Sequence, residues 1–171
     1  NWPIIGGATK SGLTIFWPDD GLDEGEILLQ KEIDITLDDT LGSVYFNKVF
    51  PLGIQAVLEA IDLVRAGNPP RIVQDDTLAT YESWCRKADA KIDWSKPVDD
   101  VYNLIRGTNP QPGAWTTHGD IEVQIYDSEK TSESAGKPGE VTAIDEKSIT
   151  VSAKDGQIIV ARVKPEGEKK I

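Results

Sequence analysis

Between residues 19 and 39, nine side chains are carboxylic acids (19, 20, 23, 24, 26, 32, 34, 38 and 39) and a single one, Lys31, is basic. The densest part is the stretch Trp17-Pro18-Asp19-Asp20-Gly21-Leu22-Asp23-Glu24-Gly25-Glu26. Carboxylates crowded together raise one another's pKa, and a carboxylate so raised can relay protons. Three chemistries fit. A divalent-cation loop would use Asp19, Asp20, Asp23 and Glu26 as oxygen ligands, but the spacing departs from Asp-x-Asp-x-Asp-Gly with a distal Glu. A single catalytic carboxylate could stand in a cleft. On composition alone the plainest reading is a solvated hairpin loop whose acids face water.

The elements that must hold this loop are strand-like. An apolar run at 13–17 leads in, and 27–35 leads out with Ile27, Leu29, Lys31, Ile33 and Ile35 on one face. Before them, Trp2, Ile4 and Ile5 read as the last turn of a helix stopped by Gly6-Gly7. After them, Thr36-Leu37-Asp38-Asp39-Thr40 supplies caps for a helix from about 40. Pro51 should divide that helix into a short piece and a longer one. In the longer piece, Ile54, Val57, Leu58, Ile61 and Val64 form an apolar stripe expected to pack on a sheet, and Gly67-Asn68-Pro69-Pro70 ends it. Residues 71–76 are extended, as a connection or an edge strand, and a domain boundary is expected there, dividing 1–75 from 76–171.

The second part has another texture. Residues 88–94 read as extended, Ser95-Lys96-Pro97 opens a helix carrying Val98, Val101, Tyr102 and Ile105 on one face, and Gly107 closes it. Short strands are expected at 114–117, 121–126, 140–144, 148–153 and 157–163, with Asp155-Gly156 as a tight hairpin and 128–138 as a polar loop. One helix with several short strands predicts a small barrel of oligonucleotide-fold type or a small open sheet.

Composition narrows the partners. The 171 residues carry a formal charge of −11, which repels nucleic acid and anionic membrane surfaces. No apolar run approaches a membrane span. The single cysteine, Cys85, excludes an internal disulfide and, with no signal segment visible, points to a cytoplasmic protein. There is no Gly-x-Gly-x-x-Gly run, phosphate loop or Cys-x-x-Cys pair. Trp84, Trp94 and Trp115 lack the basic neighbours of a base-stacking surface and are expected in the core. The absence of Met and the start at Asn1 within a helix-like turn mark the chain as a portion of a longer protein.

Beyond the residue chemistry, Asp20-Gly21-Leu22-Asp23-Glu24-Gly25-Glu26-Ile27-Leu28 resembles the Gly-Leu-Asp-x-Gly loop of the formyltetrahydrofolate-dependent formyltransferase family. Arg106-Gly107-Thr108-Asn109-Pro110-Gln111-Pro112-Gly113-Ala114-Trp115 resembles the turn in that family's C-terminal domain. Lys91-Ile92-Asp93-Trp94, Lys137-Pro138-Gly139-Glu140-Val141 and Lys164-Pro165-Glu166-Gly167 follow in the family's order. The run Ile15-Phe16-Trp17-Pro18-Asp19-Asp20, with Leu28-Leu29-Gln30-Lys31-Glu32, is most similar to the family's hydrolase branch, its tRNA-acting branch coming next.

The resemblance implies an α/β protein with a small β-barrel: the second half of a Rossmann-like formyltransferase domain at 1–75, then an OB-like domain at 76–171. It implies 10-formyltetrahydrofolate as formyl donor, Asp23 as the catalytic aspartate, and Pro18, Asp19, Asp20, Gly21 and Leu22 along the folate pocket. The family also uses an Asn and a His from an upstream motif. No Asn-x-His precedes Asp23 here, and the sole histidine, His118, lies in Thr116-Thr117-His118-Gly119-Asp120, a hairpin. The missing half is therefore expected either on another chain or in sequence outside these residues. The alternative is a non-catalytic folate-binding or assembly module.

Overall fold

The computed structural model describes residues 1–170, which group into two compact units. One comprises Thr9–Leu37 and Gly42–Ser83; the other comprises Asn1–Ala8, Asp38–Leu41 and Trp84–Ile171.

The first unit is built on an antiparallel hairpin of β1 (Lys10–Phe16) and β2 (Ile27–Asp34), with Leu13 opposite Lys31 and Ile15 opposite Leu29. Alternation holds from Leu29 onward, with Leu29, Lys31 and Ile33 half-buried and Gln30, Glu32 and Asp34 exposed, but at the strand's start Leu28, on the other face, is its one buried residue at 7% exposed. Lys31 stays on the apolar face by lying along it and placing its ammonium 2.7 Å from Glu59. A single antiparallel bridge, Ile27 with Ile72, adds the 71–76 segment on the far side of β2.

A helical run follows: α2 (Leu41–Ser43), a π-helical segment Val44–Val49, and α3 (Phe50–Arg65). Pro51 does not split it as its ring predicts. The Phe50 N–H reaches five residues back to the Tyr45 carbonyl, and this wider π turn accommodates the proline at the start of α3.

A second expectation also fails. The stripe Ile54, Val57, Leu58, Ile61 and Val64 is exposed, Leu58 at 61%, while the residues α3 buries are the small Ala56 and Ala60. A two-stranded hairpin is too narrow to cover a whole helix face. With Leu13, Ile15, Tyr45, Val49 and Phe50, the first three residues of the stripe, Ile54, Val57 and Leu58, line an apolar groove of about 520 Å³.

The second unit contains a five-stranded antiparallel sheet in the order β3-β4-β7-β6-β5, from β3 (Ala114–His118), β4 (Ile121–Thr131), β5 (Val141–Ile144), β6 (Ile149–Ser152) and β7 (Gln157–Pro165). Helix Val98–Gly107, here α4, buries Val98, Val101 and Ile105 against it. They join Ile92, Ala114, Ile125, Val151, Ala153, Ile158 and Val160 in one apolar core. Helix α1 (Trp2–Ile5) ends at Gly6, as its glycines predict, and lies on α4 so closely that a Cβ on Gly107 would stand 2.7 Å from Ile5 Cγ1. The Asn1 amide donates to the Gly107 carbonyl at 2.9 Å.

Three local readings are corrected here. Residues 128–131 continue β4 opposite β7 instead of opening a loop, because the main-chain ladder extends past the last apolar residue. Lys87–Ala90 is a 3₁₀ turn, so the extended segment begins at Lys91, whose bridge to Trp115 is parallel. Trp84 is 87% exposed, not core, whereas Trp94 and Trp115 are half-buried and donate through their indole N–H to Thr116 and Lys87.

Candidate functional site

The acidic loop spans the gap between β1 and β2. Its base is closed by the Trp17 N–H donating to the Glu26 carbonyl at 2.9 Å. Gly25 is obligatory there, since a Cβ would lie 1.7 Å from the Trp17 carbonyl oxygen. Asp23 has φ 58°, the left-handed conformation that aspartate tolerates and β-branched residues do not. Its carboxylate has no hydrogen bond or ion pair among the described residues. Gly21 donates its N–H to Asp19 Oδ1 at 3.1 Å, an Asx turn at the loop tip.

Leu22, Asp23 and Glu24 form one wall of a groove of about 750 Å³; Ile27 and Gln30 continue it, and the segment Val73–Glu82 supplies the other wall. Asp75, which accepts from the Thr77 hydroxyl at 2.6 Å and its N–H at 3.0 Å, starts a 3₁₀ turn at Asp76–Leu78. Leu22, Val73, Leu78 and Tyr81 are largely exposed in this groove. It therefore combines apolar faces with carboxylates at Asp23, Glu24, Asp75, Asp76 and Glu82, a lining suited to a flat heterocycle bearing N–H donors.

Of the residues singled out by sequence, Leu22 and Asp23 reach this groove, while Pro18, Asp19, Asp20 and Gly21 sit on the exposed tip outside its lining. Sequence reasoning missed the opposite wall. Gln74 donates its amide to the carbonyls of both Asp23 and Gly25, each at 2.8 Å. Arg71 pairs with Glu26 at 2.7 Å and stands 4.3 Å above the Trp17 ring, whose N–H donates to the Pro70 carbonyl at 3.1 Å. The polar Gln74 after Ile72-Val73 was the available signal, but its meaning depends on the Ile27–Ile72 register.

Other candidates stand elsewhere. His118 is exposed at the end of β3, in the second unit, whereas Asp23 belongs to the first. Cys85 is half-buried; burial and then the charge of Asp89 push its thiol pKa up, the opposite of an activated nucleophile. Among the described residues no three His, Cys, Asp or Glu side chains gather as metal ligands would, and no helix is long and apolar enough to cross a membrane.

The fold and loop define a mixed α/β protein that presents an unpartnered carboxylate from a strand-to-strand loop. The chain belongs to the formyl transferase family, an enzyme family: residues 1–61 match the formyl transferase model and residues 85–171 the model of the formyl transferase C-terminal domain. It is 41% identical over 140 residues to cytosolic 10-formyltetrahydrofolate dehydrogenase of Xenopus tropicalis, covering 82% of this chain and 16% of that protein. It is 35% identical over 172 residues to methionyl-tRNA formyltransferase of Syntrophus aciditrophicus (strain SB), covering 100% of this chain and 55% of that one. The chain thus spans little more than half of the second relative and far less of the first. The structure of HypX from Aquifex aeolicus in complex with tetrahydrofolic acid shares the fold, with TM-score 0.79 and 21% identity over 99% of this chain and 30% of that one.

Proposed function

We propose that this chain forms the aspartate-bearing part of an enzyme that transfers or hydrolyses the formyl group of 10-formyltetrahydrofolate. The observation that carries the reading is Asp23: a carboxylate held in a left-handed turn, without a partner among the described residues, on the wall of a groove of about 750 Å³. The folate named with the Aquifex structure and with the dehydrogenase relative supports the donor.

In this reading a water or amine attacks the formyl carbon, and charge builds on its oxygen. The C–N10 bond then breaks, and the proton released by the nucleophile passes through Asp23 and water to N10 of tetrahydrofolate. With water as acceptor the products are formate and tetrahydrofolate. The oxyanion needs donors, and the family's Asn and protonated His are the groups for that task. They lie outside these residues, on another chain or in adjoining sequence, together with the layer that covers the exposed α3 stripe. Residues 1–75 are then the second half of a Rossmann-like domain and 76–171 an OB-like domain, a cytoplasmic arrangement with no membrane contact. The charge of −11 makes water or a small amine a better acceptor than tRNA.

A second reading is a folate-binding or assembly module without turnover, favoured by the chain's sole histidine being an exposed strand-end residue of the other unit. Titrating the 171-residue chain with tetrahydrofolate and assaying release of formate from 10-formyltetrahydrofolate, beside the complete protein, separates the two. The enzyme reading requires turnover by the complete protein, and binding without turnover by both would establish the module.

A further inference from the structure

We infer that Gln74 is a positioning residue for Asp23, an inference that rests on the catalytic reading of that aspartate. The antiparallel bridge is double, Ile27 N–H to the Ile72 carbonyl at 2.7 Å and Ile72 N–H to the Ile27 carbonyl at 3.0 Å. Continuing that register two residues sets Gln74 beside Gly25. There the ladder does not continue through the main chain. The Gln74 side-chain amide takes over, donating 2.8 Å bonds to the Gly25 carbonyl and to the Asp23 carbonyl.

The consequence is specific to residue 23. A left-handed residue between two glycine-flanked turns has few contacts of its own, and Leu22, Asp23 and Glu24 are all exposed. Asp23 and Gly25 are bound through their carbonyls to one amide group, so the 23–24 and 25–26 peptide planes are both tied to a strand-like segment, the first of them carrying the Asp23 carbonyl itself. Two further ties anchor that segment to the loop base: Arg71 to Glu26, and Trp17 to the Pro70 carbonyl. Of these ties, those of Gln74 are the ones that reach Asp23 and Gly25. Its role is to hold the direction of the Asp23 carboxylate, not to touch substrate. Misplacement of a reacting group by about 1 Å costs on the order of 10²-fold in rate.

The test uses the complete protein with Gln74→Met, which keeps length and removes the donors, and Gln74→Lys, which restores N–H donors on a flexible stem. Both are also made in an Asp23→Asn background. Turnover of 10-formyltetrahydrofolate is followed together with the dissociation constant for tetrahydrofolate, which needs no reaction. The expected result is a fall in kcat of roughly 10- to 100-fold for Gln74→Met, a tetrahydrofolate dissociation constant within about threefold, partial rescue by Gln74→Lys, and no further loss in the Asp23→Asn background. Unchanged kcat, or the same loss with and without Asp23, overturns the positioning role while leaving the catalytic reading standing. Near-normal turnover by Asp23→Asn alone overturns the catalytic reading, and the inference falls with it. If Gln74→Met does not fold, Gln74→Ala takes its place: a folded protein that still binds tetrahydrofolate but has lost kcat is the supporting result, and unchanged kcat, or loss of binding together with kcat, the opposing one.

Discussion

Asp155, at the tip of the β6–β7 hairpin, accepts a hydrogen bond from the Val98 main-chain N–H at 2.7 Å, so the turn between two strands caps the helix that packs on them. A carboxylate at this place satisfies an orphan helix donor and complements the helix dipole. Asp155→Ala should destabilise the C-terminal unit by about 1 kcal/mol, and Asp155→Asn by less. Urea unfolding followed by Trp94 and Trp115 fluorescence measures both; equal midpoints for the alanine variant and the parent would remove the cap from the account.

Asp23→Asn separates geometry from chemistry. Asparagine tolerates the left-handed conformation, so φ 58° imposes little new strain and stability should change by under about 0.5 kcal/mol. Turnover of the complete protein should fall by about 10²- to 10⁴-fold, the range of a lost proton-transfer group. Steady-state kinetics beside a thermal melt gives both readings.

The bare stripe of α3 predicts opposite outcomes in two settings. In the 171-residue chain, Leu58→Gln with Ile61→Gln removes half-exposed apolar surface, so self-association and hydrophobic-dye binding should fall while the melting temperature barely moves. In the complete protein, if the proposed layer covers the stripe, the same pair should lose about 2 kcal/mol of stability. Equal effects in both settings would mean the face stays open.

Arg106 is 5% exposed and gives its guanidinium to Asn103 Oδ1 at 2.8 Å and to the Asp39 carbonyl at 3.0 Å. Burial lowers its pKa, yet an arginine remains charged, and its removal leaves buried acceptors without donors. Arg106→Ala should cost on the order of 3 kcal/mol. Arg106→Lys should recover little, since one ammonium cannot meet both acceptors from that direction. Denaturant midpoints of the two variants check this.

Several exposed aspartates predict the acid limb of stability. Asp145 is held below its ordinary value by the Lys147 N–H, then the Ser148 hydroxyl and N–H; Asp93 by the Ser95 hydroxyl and then its N–H; Asp75 likewise by Thr77. Each carboxyl takes up its proton at higher pH when unfolded than when folded. The contribution is therefore complete above the ordinary value of about 3.8 and is lost as pH falls through the lower folded values. Urea midpoints should drop as pH falls below about 3.8, and Asp145→Asn should flatten that slope; an unchanged slope would contradict the assignment.

Much of the fold is legible in local pattern. Alternation from Leu29 to Ile33, the i, i+3, i+4, i+7 set from Val98 to Ile105, and the Asp155-Gly156 turn each name their element because the signal lies within a few residues. Pro51 misleads, since a π turn accommodates its ring without breaking the helix. The α3 stripe is helical as read but finds no covering layer in its unit. Leu22 and Asp23 are legible as candidates because their residue types and the resemblance coincide. Gln74 is not, because a lone glutamine in an extended segment means nothing until the Ile27–Ile72 register brings it to the acidic turn.

The seam between α1 and α4 bears on how the chain is made. Gly107 has no room for a side chain because Ile5 lies against it, so the surface that seats α1 is completed only when α4 leaves the ribosome. At about 5–20 residues per second, that is roughly 5 to 20 seconds after α1 itself has emerged. During that interval Ile4, 2% exposed in the finished fold, has no permanent seat. Slow translation across 10–100 would lengthen the interval in which a trigger-type chaperone can hold this short apolar segment, and synonymous codons there would alter yield without altering any residue.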